Sequence, residues 1–242
     1  MKRIVVWCIG MLMIAMLAAC GVRAQGENAT PDTAIAEEAG SPEEPQTTPD
    51  AGVAVSDYDA LIAALQDESV SRAHIIADMT ISPEQPQEIE REGFVLTIDA
   101  GVTVTIGDNF TIVFFGSETA PGLVNNGSML LSGEWNFGAM TLENNGTIEL
   151  QSGALLAPGM STIQNDGQLR IAKDAQVRLE RGSGILNNGT IENNGTLEIT
   201  NDGGSLNNSE SGILQNNGHI VFDGDYQNHG IYQGTEQEPT AK

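Results

Sequence analysis

One phrase returns along this chain: Asn-Asn-Gly, a small or polar residue, then an isolated apolar residue. It reads Asn125-Asn126-Gly127-Ser128-Met129, Asn144-Asn145-Gly146-Thr147-Ile148, Asn187-Asn188-Gly189-Thr190-Ile191, Asn193-Asn194-Gly195-Thr196-Leu197 and Asn216-Asn217-Gly218-His219-Ile220. Asn165-Asp166-Gly167-Gln168-Leu169 is an altered copy. The members at 125, 144, 165 and 187 recur about every 20 residues, a period that marks solenoids. Such a repeat constrains architecture strongly and activity hardly at all.

An Asn-Gly step between alternating apolar residues is also the strongest short-range signal for a β-hairpin. Between Gly189 and Asn193, however, lie only Thr190, Ile191 and Glu192. Hairpin arms that short make almost no cross-strand pairs. Three residues do suffice for one flat side of a coil whose corner is Asn-Gly, and Asn and Gly are the residues that tolerate a left-handed corner backbone. Coils stacked about 4.8 Å apart would pair each strand with its equivalents above and below. Like residues then fall into register. Ile148, Leu150, Ile163, Leu169, Ile171 and Ile191 are expected to point inward as apolar columns, and the corner asparagines to form amide ladders of the kind seen in cross-β stacks.

Ahead of the repeats, Ser56 and Asp59 have capping-box spacing, and Leu61, Ile62 and Leu65 make one helical face, so a helix is expected over 56–67. Runs rich in β-branched residues follow: His74 to Ile81, Phe94 to Ile98, Val102 to Ile106 and Phe110 to Phe115. Each is bounded by turn-forming residues. One short helix followed only by short strands, with the 20-residue repeat, predicts an all-β parallel solenoid spanning 56–233 and a disordered polar tail at 234–242. The wording NNGTIENNGTLEI resembles the right-handed parallel β-helices of the pectate-lyase-like superfamily and the stalks of bacterial surface adhesins, which implies a right-handed parallel β-helix with the helix as its N-terminal cap. An N-terminal helix often caps the first coil in that family. An open solenoid end is a bare sheet edge, so a cap makes physical sense. No second helix is visible at the far end, where Tyr226, Ile231 and Tyr232 are expected to close the core.

The first residues carry a separate message. Lys2 and Arg3 precede an apolar run from Ile4 to Ala19. A positive start, a short apolar stretch and small residues describe a secretory signal rather than a membrane span. Leu17-Ala18-Ala19-Cys20 resembles the bacterial lipobox, which implies lipid on Cys20, removal of 1–19 and a membrane partner reached through that lipid. Gly21 follows, with no Asp of the kind linked to inner-membrane retention. The expected location is extracytoplasmic, on the outer membrane or the outer face of the cell membrane. Residues 20–55, with Pro31, Pro42, Pro45 and Pro49 among acidic and small residues, read as a disordered tether. Cys8 and Cys20 are the only cysteines. Neither a disulfide nor a cysteine metal site is therefore expected in the mature chain.

The formal charge is −23, and Lys2 and Arg3 are two of only 10 basic residues against 33 acidic ones. That balance argues against nucleic acid, which is held by neutralising phosphates. It argues equally against electrostatic binding to anionic lipid.

Chemistry is harder to find. Enzymes on the resembled scaffold cluster acidic with basic residues on one face. Here Arg170, Lys173, Arg178 and Arg181 fall in one coil with Asp174 and Glu180, alternating with apolar residues as an exposed strand face does. His219, Asp223, Asp225 and His229 are weak metal candidates, although Asp223-Gly224-Asp225 lacks the rest of a calcium loop. Trp135, Tyr226 and Tyr232 are weak candidates for stacking on a sugar ring. No GxSxG, HExxH, P-loop or dinucleotide fingerprint occurs, and no cofactor is implied. Sequons such as Asn145-Gly146-Thr147 would be incidental in the bacterial lipoprotein that the lipobox resemblance implies. The expected function is noncatalytic: a lipid-anchored surface protein binding glycan or an envelope partner. A polysaccharide lyase or hydrolase on the same scaffold is the alternative.

Overall fold

The computed structural model describes residues 52–115, 121–235 and 237–239. Cys20, the signal 1–19 and nearly all of the tether 20–55 lie outside the described residues. The chain winds into a right-handed parallel β-solenoid of about 8 turns, with about 22 residues per turn. The described strands form three parallel sheets, of 9, 8 and 7 strands. Each coil crosses them in the same sequence. In one coil, Thr141–Asn144 lies on the first face, Thr147–Leu150 on the second and Leu155–Leu156 on the third. The next coil repeats the order with Thr162–Asn165, Gln168–Ile171 and Gln176–Leu179.

Strand alternation puts every second residue inside. On the first face the register stacks Ala73, Leu96, Leu123, Leu142, Ile163, Ile185, Leu206 and Tyr226 in one inward column. All six residues expected inside, from Ile148 to Ile191, are fully buried. Burying a Leu or Ile contributes about 1.5–3 kcal/mol, so the columns are what hold the described residues, which include no cysteine, together.

The neighbouring inward column changes chemistry along its length. It begins with Val55, Ile75 and Ile98 and continues with Asn125, Asn144, Asn165, Asn187, Asn208 and Asn228. At the corner leaving the second face the same change comes later, from Ile81, Ile106, Leu131, Leu150 and Ile171 to Asn193 and Asn216. The repeated phrase therefore marks two different corners of the coil. Most Asn corners need only two residues between strands, as with Asn145 and Gly146, where an aliphatic corner such as 99–102 needs four. The amide itself stands in for the missing turn. Asn125 accepts the N–H of Gly127 at 3.2 Å, and its own amide donates to the Thr147 carbonyl at 3.0 Å.

The corner glycines serve a purpose other than the one expected. None of Gly127, Gly146, Gly167, Gly189, Gly195 and Gly218 has a positive φ. Their requirement is space. A Cβ on Gly146 would sit 2.0 Å from the Gly127 carbonyl oxygen, and one on Gly167 2.1 Å from that of Gly146. Coils stacked at sheet spacing leave no room for a side chain at that point.

Several boundaries differ from expectation. The helix is Tyr58–Gln66, and its N-cap is Asp57, not Ser56: the Asp57 carboxylate accepts the Ala60 N–H at 2.9 Å. A paired strand, Val53–Val55, precedes it, upstream of Ser56. The run from His74 to Ile81 is two strands, Arg72–Ile75 and Met79–Ile81, divided by a corner that exposes Ile76. Gln87–Glu92 is a strand that its charge pattern hid. From that strand, Arg91 donates to the carbonyls of Leu65, Asp67 and Val70 at 2.7, 2.9 and 2.6 Å. Carbonyls at a helix end lack intrahelical donors. Arg91 supplies them and lies 5.0 Å over the Phe94 ring. With Leu61, Ala64 and Leu65 buried, the helix closes the first coil.

Candidate functional site

The most developed constellation is the buried amide ladder. Asn125 donates to Asn144, Asn144 to Asn165 and Asn165 to Asn187, each at 2.7 Å. Asn187 donates to Asn208 at 2.6 Å, and Asn208 to Asn228 at 2.7 Å. Every bond runs from Nδ2 to Oδ1 toward the C-terminal end, so the dipoles add along the column. The final donor, Asn228, meets a carboxylate oxygen of Glu238 at 2.6 Å. That oxygen also accepts the Tyr226 hydroxyl at 3.1 Å. Burial, reinforced by the Glu238 charge, holds the Tyr226 phenol well above its ordinary value of 10.0. The second corner carries a shorter ladder: Asn193 donates to Asn216 at 2.7 Å, and Asn216 to the Tyr232 hydroxyl at 3.3 Å.

Tyr226 and Tyr232 thus complete the C-terminal end rather than offer an open ring, Tyr226 being buried and Tyr232 packed partly against the core. Ile231, expected to help close that end, is half exposed. Trp135 is fully buried, 4.7 Å from the Phe137 ring, and cannot stack on a sugar. Its position inside the third face follows from strand alternation in Glu134–Gly138.

The four metal candidates are dispersed by the winding. His219 opens a strand of the third face, Asp223 lies in the following corner, Asp225 opens a strand of the first face and His229 lies in the corner beyond. Among the described residues no group of three or more His, Cys, Asp or Glu side chains is placed to hold a metal ion.

The basic coil is likewise divided. Arg170 points outward from the second face and faces Glu192 of the next coil at 3.8 Å, while Arg178, on the third face, pairs with Glu198 at 2.8 Å. Gln176 donates to the same Glu198 carboxylate at 2.7 Å. Arg181 pairs with its own neighbour Glu180 at 3.6 Å, so winding converts one cluster in sequence into three separate ion pairs.

The described surface carries grooves on its second face. On the second face Gln168, Leu169, Arg170, Thr190, Glu192 and Gln215 line a groove of about 230 Å³. Nearer the N-terminal end Asp78, Met79, Thr80, Thr103 and Thr105 line another of about 370 Å³. Outward residues stack there as two columns: Thr103, Ser128, Thr147, Gln168 and Thr190, and beside it Thr105, Leu130, Glu149, Arg170, Glu192 and Gln215. The residue after the Asn-Gly steps at 126, 145 and 188 builds the first column with Ser128, Thr147 and Thr190, whereas Thr196 and His219, after the other two steps, lie on the third face. Among the described residues no helix is long and apolar enough to cross a membrane. Comparison with protein-family models, curated proteins and solved structures gives no match to this chain.

Proposed function

We propose that this chain is a noncatalytic, lipid-anchored protein of the cell envelope that presents the second face of its solenoid to a glycan or to another envelope protein. The observation that carries the reading is the pair of outward columns on that face, in which Thr147, Gln168 and Thr190 stack beside Glu149, Arg170 and Glu192. Hydroxyl, amide and ionic groups there repeat at the strand spacing of about 4.8 Å. A flat, repetitive flank of this kind makes many weak, equivalent contacts with a polymer. Enzymes instead draw groups together in a concave site. The lipobox-like Leu17 to Cys20 supports attachment to a membrane, and tethering many copies there adds avidity to weak contacts.

The test incubates the intact protein with acidic and neutral polysaccharides and with isolated envelope proteins, scoring retention and product release together. Retention without product is expected, and the triple variant Thr147→Ala, Gln168→Ala, Thr190→Ala should lose most of it. Turnover abolished by Arg170→Ala or Asp223→Ala would overturn the reading and establish an enzyme.

A further inference from the structure

The chain holds five Asn-Gly steps: Asn126-Gly127, Asn145-Gly146, Asn188-Gly189, Asn194-Gly195 and Asn217-Gly218. An Asn-Gly step converts itself in water when the glycine nitrogen reaches the asparagine amide carbon. The N–H proton goes to hydroxide, giving water, and a C–N bond forms to Cγ as its oxygen takes up the charge. The Cγ–Nδ2 bond then breaks, and the nitrogen takes a proton from water and leaves as ammonia, returning hydroxide. Water then opens the cyclic imide at either carbonyl, giving aspartate or isoaspartate. The reaction needs a glycine nitrogen that is free to lose its proton and swing.

The fold treats the five steps unequally. Gly146 donates its N–H to the backbone carbonyl of Asn125 at 3.0 Å, Gly189 to that of Asn165 at 2.8 Å and Gly218 to that of Asn193 at 2.9 Å. In each case the same carbonyl also takes the N–H of the preceding asparagine, so the corner is clamped twice to the coil below. Gly127 and Gly195 begin their ladders. Their N–H groups reach side-chain oxygens instead, those of Asn125 and Asn193, both at 3.2 Å.

The electrophiles differ in the same direction. Asn126 Oδ1 accepts an amide hydrogen bond from Asn145 at 3.0 Å, and Asn194 Oδ1 accepts one from Asn217 at 3.2 Å. A donor on the carbonyl oxygen stabilises the charge that develops there during attack. Solvent access does not sort the two classes: Asn126, Asn145, Asn194 and Asn217 are exposed and Asn188 is half-buried, while Gly195, at one of the two less-clamped corners, is itself buried.

We propose that Asn126 and Asn194 are sites of spontaneous self-modification in the folded protein, while Asn145, Asn188 and Asn217 are protected by the coil beneath them. The solenoid already shows that an acid is accommodated at this corner. Asp166 occupies the equivalent place before Gly167 and accepts amide hydrogen bonds from Asn188 at 2.8 Å and Gln164 at 3.0 Å. Aspartate at 126 meets the same kind of donor in Asn145. The isoaspartate product adds a backbone methylene to a two-residue corner and loosens the coil at the start of each ladder.

The experiment incubates the full chain at mildly alkaline pH, folded and in concentrated urea, and follows amide-to-acid conversion at all five steps by peptide mass mapping. In urea the five should convert at comparable rates. In the folded protein Asn126 and Asn194 should lead the other three by about tenfold or more, because conversion at a clamped corner waits on local opening. Equal rates at all five in the folded protein, a lead by any of Asn145, Asn188 and Asn217, or conversion of only one of the two proposed sites would overturn the proposal.

Discussion

Asn228 donates its side-chain amide to Glu238 at 2.6 Å, ending on an anion a column of five buried asparagines and the half-buried Asn228. Each amide in the column gives its donor to the next coil, so the last would otherwise present an unused N–H. A carboxylate at the donor end makes the strongest available partner, since charge-assisted bonds are about twice as strong as neutral ones. Glu238→Ala should therefore cost about 1.5–3 kcal/mol and loosen the last coil first. Hydrogen exchange of Asp225–Asn228 and Ile231–Gly234 checks this: protection there should fall while Thr162–Asn165 keeps its own.

An interruption within the ladder should cost more than its loss at the end. Asn165 accepts from Asn144 at 2.7 Å and donates to Asn187 at 2.7 Å and to the Thr190 carbonyl at 3.1 Å. Asn165→Ala leaves a buried donor on one side and acceptors on the other, each costing about 1–3 kcal/mol. Chemical denaturation should show a loss of at least about 2 kcal/mol. A near-neutral result would mean that solvent enters the column.

Two glycine substitutions should separate space from conformation. Gly167→Ala places a Cβ 2.1 Å from the Gly146 carbonyl oxygen and forces coils apart, a cost above about 4 kcal/mol. Gly153 has φ +84 with no neighbour within 4 Å, so Gly153→Ala incurs only left-handed strain of about 1–2 kcal/mol. Thermal melting of the two variants gives the order directly.

Tyr226 makes stability fall at alkaline pH. Its folded pKa is raised above 10.0, chiefly by burial and then by Glu238. Above pH 10 the unfolded chain therefore releases a proton that the folded chain retains. The stabilisation is complete below about pH 10 and is lost progressively as pH rises beyond it. Tyr58, also raised by burial, acts in the same sense. Melting temperatures measured from about pH 8 to 11 should fall less steeply in Tyr226→Phe than in the native chain.

Anchoring is tested at Cys20. Cells carrying Cys20→Ala should incorporate no labelled fatty acid into this protein and should leave it unprocessed or released. Unchanged labelling would remove the basis for membrane attachment.

The period of the Asn-Asn-Gly phrase and the alternation of Thr, Ile and Glu between its copies determined a parallel solenoid, its inward residues and its amide ladders. Those features are local: a corner every 20 residues and side chains alternating across a strand depend only on near neighbours. The tertiary structure decided everything that depends on the phase of the winding. It sorted identical phrases at 187 and 193 into different corners, moved Arg170 and Arg178 onto different faces, and dispersed His219, Asp223, Asp225 and His229. It gave the corner glycines a reason invisible along the chain, contact with a carbonyl one coil below. It also drew Arg91 and Glu238, from segments with no recognisable pattern, to the two ends of the solenoid. Ends are where backbone carbonyls and amide donors run out of partners, and the residues that complete them are selected by distance in space rather than by period in sequence.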